Sequence, residues 1–185
     1  AHRSEANRAR NPHRHPVGTL DFFGLQDGMK VMEIWPGAGW YTEVIAPAVR
    51  DRGEFLVASY DPSVPDQPGY RYDLHKVLTE KLSANPDLYD QVEVVVYSPP
   101  QSNQLGPDSS LDMILTFRNM HGWYGNNELS GVLSDFYRTL KPGGVLGVVQ
   151  HRADVGSDPV QTATEGYLPE QAVITAAEAA GFELE

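Results

Sequence analysis

From Lys30 onward, short apolar runs alternate with helical stretches, and this alternation constrains the fold more than any other feature of the chain. Residues 30–34, 54–59, 92–96, 111–117 and 145–149 read as strands, short apolar runs of the kind that suits a sheet covered on both faces. Between them 41–49, 74–84 and 126–140 read as helices, and 169–180 as a further one ended by Gly181. The clearest is 126–140, where Leu129, Val132, Leu133, Phe136, Tyr137 and Leu140 fall on one apolar stripe. Lys141-Pro142-Gly143-Gly144 then turns the chain, because Pro presets φ and Gly accepts positive φ. Strand and helix at this period predict an α/β fold, a mostly parallel sheet with helices on both faces. At 185 residues the chain has the size of one domain.

Charge narrows the function. Lys and Arg number 14 against 25 Asp and Glu, a net −11 that repels a phosphate backbone, so nucleic acid is not expected as a partner. The sign reverses locally. Arg3, Arg8, Arg10 and Arg14 face Glu5 alone, so 1–14 reads as a basic arm with the run of charge of a solvated terminus, and 15–185 as a single domain. The sequence has no Cys, which excludes disulfides, thiolate metal sites and a Cys nucleophile. No apolar run approaches the ~18 residues of a membrane span, so a soluble chain without a membrane partner is expected. The first residue is Ala1 rather than Met, and no apolar signal core follows it.

In parallel sheets ligands sit outside the carboxyl ends of the strands, at the switch point. The first strand runs into Glu33-Ile34-Trp35-Pro36-Gly37-Ala38-Gly39-Trp40-Tyr41-Thr42. Gly37 and Gly39 let the backbone approach a ligand, and the next helix offers free N–H groups. A dinucleotide loop would need a third Gly and an acid about 20 residues on; Thr42 and Ser59 supply neither.

The order Val31-Met32-Glu33-Ile34-Trp35-Pro36-Gly37-Ala38-Gly39 resembles the first motif of class I S-adenosylmethionine-dependent methyltransferases. Leu140-Lys141-Pro142-Gly143-Gly144 is similar to their turn into the fifth strand, and Ser110 to Leu115 to their fourth strand. His15-Pro16 before Leu20-Asp21-Phe22-Phe23-Gly24-Leu25 resembles a predicted branch of the same family. The resemblance spans 15–185 and implies a Rossmann-like fold with S-adenosylmethionine as cofactor. It implies that Glu33 orients the first loop and approaches the methionine end, and that Pro36, Gly37 and Gly39 pass beside the cofactor. The acid expected on the ribose falls at Ser59, with Asp61 two residues on, and the adenine neighbour at Ser98. Trp35 stands where the family's first motif Gly is expected, so its ring must point away or wall the pocket.

The fourth strand ends in Phe117-Arg118-Asn119-Met120-His121-Gly122-Trp123-Tyr124, a loop dense in pocket-lining side chains. Histidine titrates near neutrality, so His121 can serve as general base toward an acceptor; it can equally be a structural His. Arg118, Asn119 and Tyr41 complete the candidate catalytic set. An aromatic face beside a sulfonium gains ~0.5–2 kcal/mol, which suits Tyr41. Trp40 fits either that pocket or a cap on the helix start. His151, after the fifth strand, reads first as structural. His13 and His15 lie two apart on the arm, and no HExxH or carboxylate cluster accompanies any His, so no metal is expected. His75 reads as facing solvent from a polar helix.

These features predict methyl transfer from S-adenosylmethionine to a small-molecule substrate. The alternative is a degenerate methyltransferase fold used as a binding or interaction module. The Trp35 ring separates the two: across the adenosine path it favours the module, packed beneath the sheet it favours the enzyme. The cofactor's supply favours the cytoplasm, with an exported form if a signal preceded Ala1. Residues 182–185 alternate and read as the opening of a sixth strand. Without further strands, 145–149 is an unpaired edge, so a continuing chain or a partner, a second copy among them, is expected to cover it.

Overall fold

The computed structural model describes residues 2–185. In chain order its elements are α1 (Glu5–Arg8), α2 (Asn11–Arg14), α3 (Pro16–Phe22), β1 (Lys30–Ile34), α4 (Thr42–Val49), β2 (Glu54–Ser59), α5 (Gly69–Ala84) and α6 (Pro86–Tyr89). There follow β3 (Val92–Val96), β4 (Leu111–Phe117), α7 (Met120–Gly125), α8 (Leu129–Thr139), β5 (Leu140–Val149), β6 (His151–Arg152), α9 (Pro159–Thr164), β7 (Tyr167–Leu168) and α10 (Glu170–Ala179). The main sheet has the order β3-β2-β1-β4-β5 with every pair parallel, and β6 and β7 form a small parallel ladder beside it. The chain leaves β1 toward β2 and β3, then returns to β4 on the other side. The switch point lies between β1 and β4, where a ligand cleft is expected in such a sheet.

Alternation along the strands builds two cores. Val31, Phe55, Val57, Met113 and Leu115 face α3, α4 and α5, packed with Leu20, Ile45, Val49, Leu78 and Leu82. Met32, Ile34, Leu56, Ala58 and Ile114 face α7 and α8, packed with Met120, Trp123, Val132, Leu133 and Phe136. This is the two-sided burial that the short apolar runs require. On α8 the stripe holds except at Tyr137, which is half-exposed and meets Phe182 edge-on at 5.3 Å. Gly147 on β5 allows α3 to pack closely: a Cβ there would meet the Phe23 ring at 2.8 Å and Leu115 at 2.6 Å.

Several expectations are corrected. The turn Lys141-Pro142-Gly143-Gly144 lies inside β5, as an irregularity where the register shifts between Leu111 and Met113. Residues 120–125 form a helix rather than a loop, and α5 begins at Gly69 rather than 74. Residues 182–185 form no strand; Phe182 packs on Tyr137 instead. Among the described residues β5 is bonded by β4 alone, as expected of an edge.

The basic arm is not a solvated terminus. Arg3 Nε reaches Glu43 Oε2 at 3.2 Å, Asn7 Nδ2 donates to Glu43 Oε1 at 2.8 Å, and Lys81 Nζ meets the same carboxylate at 2.5 Å. Trp40 Nε1 donates to Asn7 O at 3.0 Å, with the guanidinium groups of Arg3 and Arg14 over its ring. Glu43 is buried, which alone would raise its pKa; the Lys81, Arg3 and Asn7 hydrogen bonds outweigh this and hold it below the usual range. Among the described residues no helix is long and apolar enough to cross a membrane.

Candidate functional site

The carboxyl ends of β1, β2, β4 and β5 lie at one edge of the sheet, and the candidate residues gather there. β1 ends in Glu33 and Ile34 and passes through Trp35 at φ 47, Gly37 at φ 61 and Gly39 at φ 75 into α4. Pro36 O accepts from Gly39 N at 3.0 Å, closing the turn. Positive φ at both glycines is what this tight entry into a helix demands. Glu33 is 1% exposed, and its Oε2 accepts from the Thr42 hydroxyl at 2.6 Å, tying the end of β1 to the first residue of α4.

Burial pushes the Glu33 carboxyl up to about 7, against the Thr42 hydrogen bond and the charges of Lys81 and Arg14, which draw it down. Folding therefore raises its proton affinity. Its stabilising share is present in full below the ordinary glutamate range and is lost as pH rises through about 7. Replacing it, Glu33→Gln should remove roughly 3 kcal/mol of pH dependence across that window and leave the variant more stable than the parent above it. Urea unfolding at a series of pH values measures both.

Trp35 lies at the carboxyl edge. Its backbone N–H donates to Ala58 O at 2.8 Å, and its indole Nε1 donates to Tyr97 O, just past β3, at 2.8 Å. The ring packs against Tyr60 at 4.6 Å and Trp123 at 4.9 Å and belongs to the core under α7 and α8. It therefore does something of both alternatives: its body joins the core, and its polar edge reaches past the end of β2 to β3. The Arg71 guanidinium from α5 lies over both Trp35 and Tyr60, at 4.9 and 5.3 Å from the ring centroids. Three polar atoms around this stack, Arg71 Nε, Trp123 Nε1 and Glu128 Oε2, are buried without a hydrogen-bond partner. Burial raises the Glu128 carboxyl, opposed by Asn126 and Arg71.

The polar residues expected at the nucleoside end are internally engaged. Ser59 Oγ meets His75 Nδ1 at 3.1 Å, so His75 faces the sheet rather than solvent. Ser98 Oγ accepts from Asp61 N at 2.8 Å and donates to Gln67 Oε1 at 3.1 Å. Asp61 Oδ1 accepts from the amide and hydroxyl of Ser63, which hold its pKa down. Ser59, Asp61 and Ser98 thus fasten the ends of β2 and β3 to α5 and the segment before it.

On the acceptor side Asn119 Nδ2 donates to Ile34 O at 3.0 Å and to Thr116 Oγ1 at 3.0 Å, pinning the end of β4 to the end of β1. Tyr41 stacks on Phe117 at 3.6 Å and donates its hydroxyl to Arg14 O at 2.9 Å. Trp40 lies under the arm, and the N-cap position of α4 falls to Tyr41. Arg118 stands at φ 66, its N–H donating to Val149 O at 2.6 Å. His121 Nδ1 lies 3.3 Å from Gln150 Oε1, and Gln150 Nε2 donates to Gly166 O at 2.8 Å. With the Nδ1 proton directed to that acceptor, His121 Nε2 carries the free lone pair. Burial, then the like charges of Arg118 and His121, hold His151 below its ordinary pKa.

His15, Trp35 and Arg118 are non-glycine residues at positive φ, and all three border this edge. Strained backbone of that kind clusters at functional sites. Sequence reasoning missed Arg14, Arg71, Gln67 and Gln150; Arg14 and Arg71 were visible as basic residues but not their aromatic partners. Among the described residues no three His, Asp or Glu side chains are grouped to hold a metal. Two shallow depressions of about 340 and 350 Å³ lie elsewhere, one beside Asp135 and Arg138, one at the amino ends of the strands around Gly28, Asp112 and Lys141.

The sequence matches no protein-family model, and no curated protein matches it significantly. Solved structures do. A SAM-dependent methyltransferase from Aquifex aeolicus superposes with a TM-score of 0.71 at 22% identity, over 92% of this chain and 80% of that one. A TehB-like SAM-dependent methyltransferase from Corynebacterium glutamicum gives 0.62 at 16%, over 97% and 82%. The Haemonchus contortus phosphoethanolamine N-methyltransferase 2, solved in complex with S-adenosyl-L-methionine, gives 0.63 at 16%, over 91% of this chain and 36% of that one. The chain has the fold of the class I S-adenosylmethionine-dependent methyltransferases.

Proposed function

We propose that the chain transfers a methyl group from S-adenosylmethionine to a small-molecule acceptor. The observation that carries this reading is the buried Glu33, held by Thr42 behind a loop with Gly37 and Gly39 at positive φ, at the switch point of this fold. A Cβ on Gly37 would meet nothing within 4 Å, so the loop has open space on that side. At the other end, Trp35 and Tyr60 offer an aromatic surface. Arg71 Nε, Trp123 Nε1 and Glu128 Oε2 are buried donors and an acceptor still without partners, which suits the polar rim of a nucleoside. The residues present fit the cofactor, with its nucleoside end served by these groups rather than by Ser59, Asp61 and Ser98.

When bound, the cofactor supplies an electrophilic methyl on a sulfonium, so the chain's work is placement and exclusion of water. Glu33 receives the positively charged methionine end. Asn119 keeps the ends of β1 and β4 in register. His121, with Nδ1 turned to Gln150, presents Nε2 to take a proton from the acceptor.

A second reading has its own observation. The Trp35 Nε1–Tyr97 O bond carries the indole over the ends of β2 and β3, where the resemblance implies adenosine. That favours a fold kept as a binding module. Calorimetric titration with S-adenosylhomocysteine decides between them. The enzyme reading expects saturable heat and a raised melting temperature. A folded protein that gives neither at millimolar ligand leaves the module.

A further inference from the structure

Nine of the 14 Lys and Arg side chains pair with a carboxylate: Arg3, Lys30, Arg50, Arg52, Lys76, Lys81, Arg138, Lys141 and Arg152. In a chain with 25 acids that is the expected outcome. Among the described residues the exceptions are Arg8, Arg10, Arg14, Arg71 and Arg118. The charges of Arg10 and Arg118, after burial, hold Arg14 below its ordinary pKa. His151 feels Arg118 and His121 in the same way. Arg118 thus brings an unpaired positive charge to the carboxyl ends of β4 and β5, where its strand neighbour Val149 leads into Gln150, the partner of His121, and His151.

The local structure holds these groups in place. Arg118 is fixed at φ 66 by its bond to Val149 O. His121 is oriented by Gln150, which is itself anchored to Gly166 O. His151 lies against Tyr167 at 5.4 Å, on the ladder that β6 forms with β7. Of the acids nearby, Glu170 pairs with Arg152 and Glu33 is buried against Thr42. A guanidinium at a strand end with no carboxylate of its own and an imidazole N–H beside it is the arrangement that receives an oxyanion.

We infer that the acceptor carries an oxyanion, a carboxylate or a phosphate, and that Arg118 and His151 bind it, leaving His121 Nε2 free for the acceptor's proton. This rests on the methyl-transfer reading for the word acceptor, but the anion site itself does not depend on it. The field of these groups draws a small anion to an otherwise repulsive surface.

The test is titration of the protein with inorganic phosphate and, separately, with acetate at constant ionic strength, following the imidazole resonances of His121 and His151 by NMR. Saturable shifts of His151 with at least one probe are expected, and the preferred probe tells phosphate from carboxylate. The variant Arg118→Gly suits the positive φ and so keeps the fold; it should weaken binding about tenfold or more. Arg118→Lys, which keeps the charge, should restore part of it. Absence of saturable shifts, or equal affinity in Arg118→Gly with an unchanged melting temperature, overturns the inference. A protein that binds S-adenosylhomocysteine and neither anion loses this site and keeps methyl transfer; the converse loses methyl transfer and keeps the site.

Discussion

Replacing Trp35 by alanine should lower stability by about 3–5 kcal/mol, the range for deleting a buried indole from a packed core. The ring is 7% exposed, packs against Tyr60 and Trp123, and donates to Tyr97 O, so truncation leaves a cavity and an unsatisfied carbonyl together. The backbone adds a second effect. At φ 47 a Cβ is strained, and glycine is not, so Trp35→Gly should be about 1 kcal/mol less destabilised than Trp35→Ala. Urea unfolding of both variants measures the pair. Equal stability of the two would mean that the left-handed conformation carries no strain here.

Glu43→Ala is expected to cost about 3 kcal/mol, because it leaves Arg3 and Lys81 partly buried without their shared carboxylate. The Glu43 side chain is 6% exposed, and it also accepts from Asn7. Loss of this hub frees the arm, which otherwise stays on through Trp40 and Asn7 O. A lowered melting temperature should therefore come with faster tryptic cleavage after Arg8 and Arg10. Unchanged cleavage would show that the Trp40 and Tyr41 contacts hold the arm without Glu43.

The strands were legible because each is a short apolar run, and a residue buried on either face of a sheet must be apolar whatever its neighbours. α8 was legible from its stripe. What escaped was set by distant partners. The arm reads as solvated because Glu43, its anchor, lies about forty positions on, and nothing local marks that pairing. His75 reads as exposed because its partner Ser59 belongs to another element. Residues 120–125 read as a loop because their Gly, Trp and Tyr content hides a helix whose buried face is Met120 and Trp123. In the site, Glu33, Gly37 and Gly39 fall where the motif implies. Ser59, Asp61 and Ser98 lie at the implied strand ends but hydrogen-bond inside the protein, a difference that spacing cannot reveal.

The central claim is that the carboxyl ends of β1 and β4 bind S-adenosylmethionine. Backbone amide NMR with S-adenosylhomocysteine tests it most directly, since every described segment reports at once. The account predicts saturable shifts at 33–42, at Tyr60 and Asp61, and at 118–120. No shifts, or shifts confined to Gly28, Asp112 and Lys141 at the opposite end of the sheet, would contradict it.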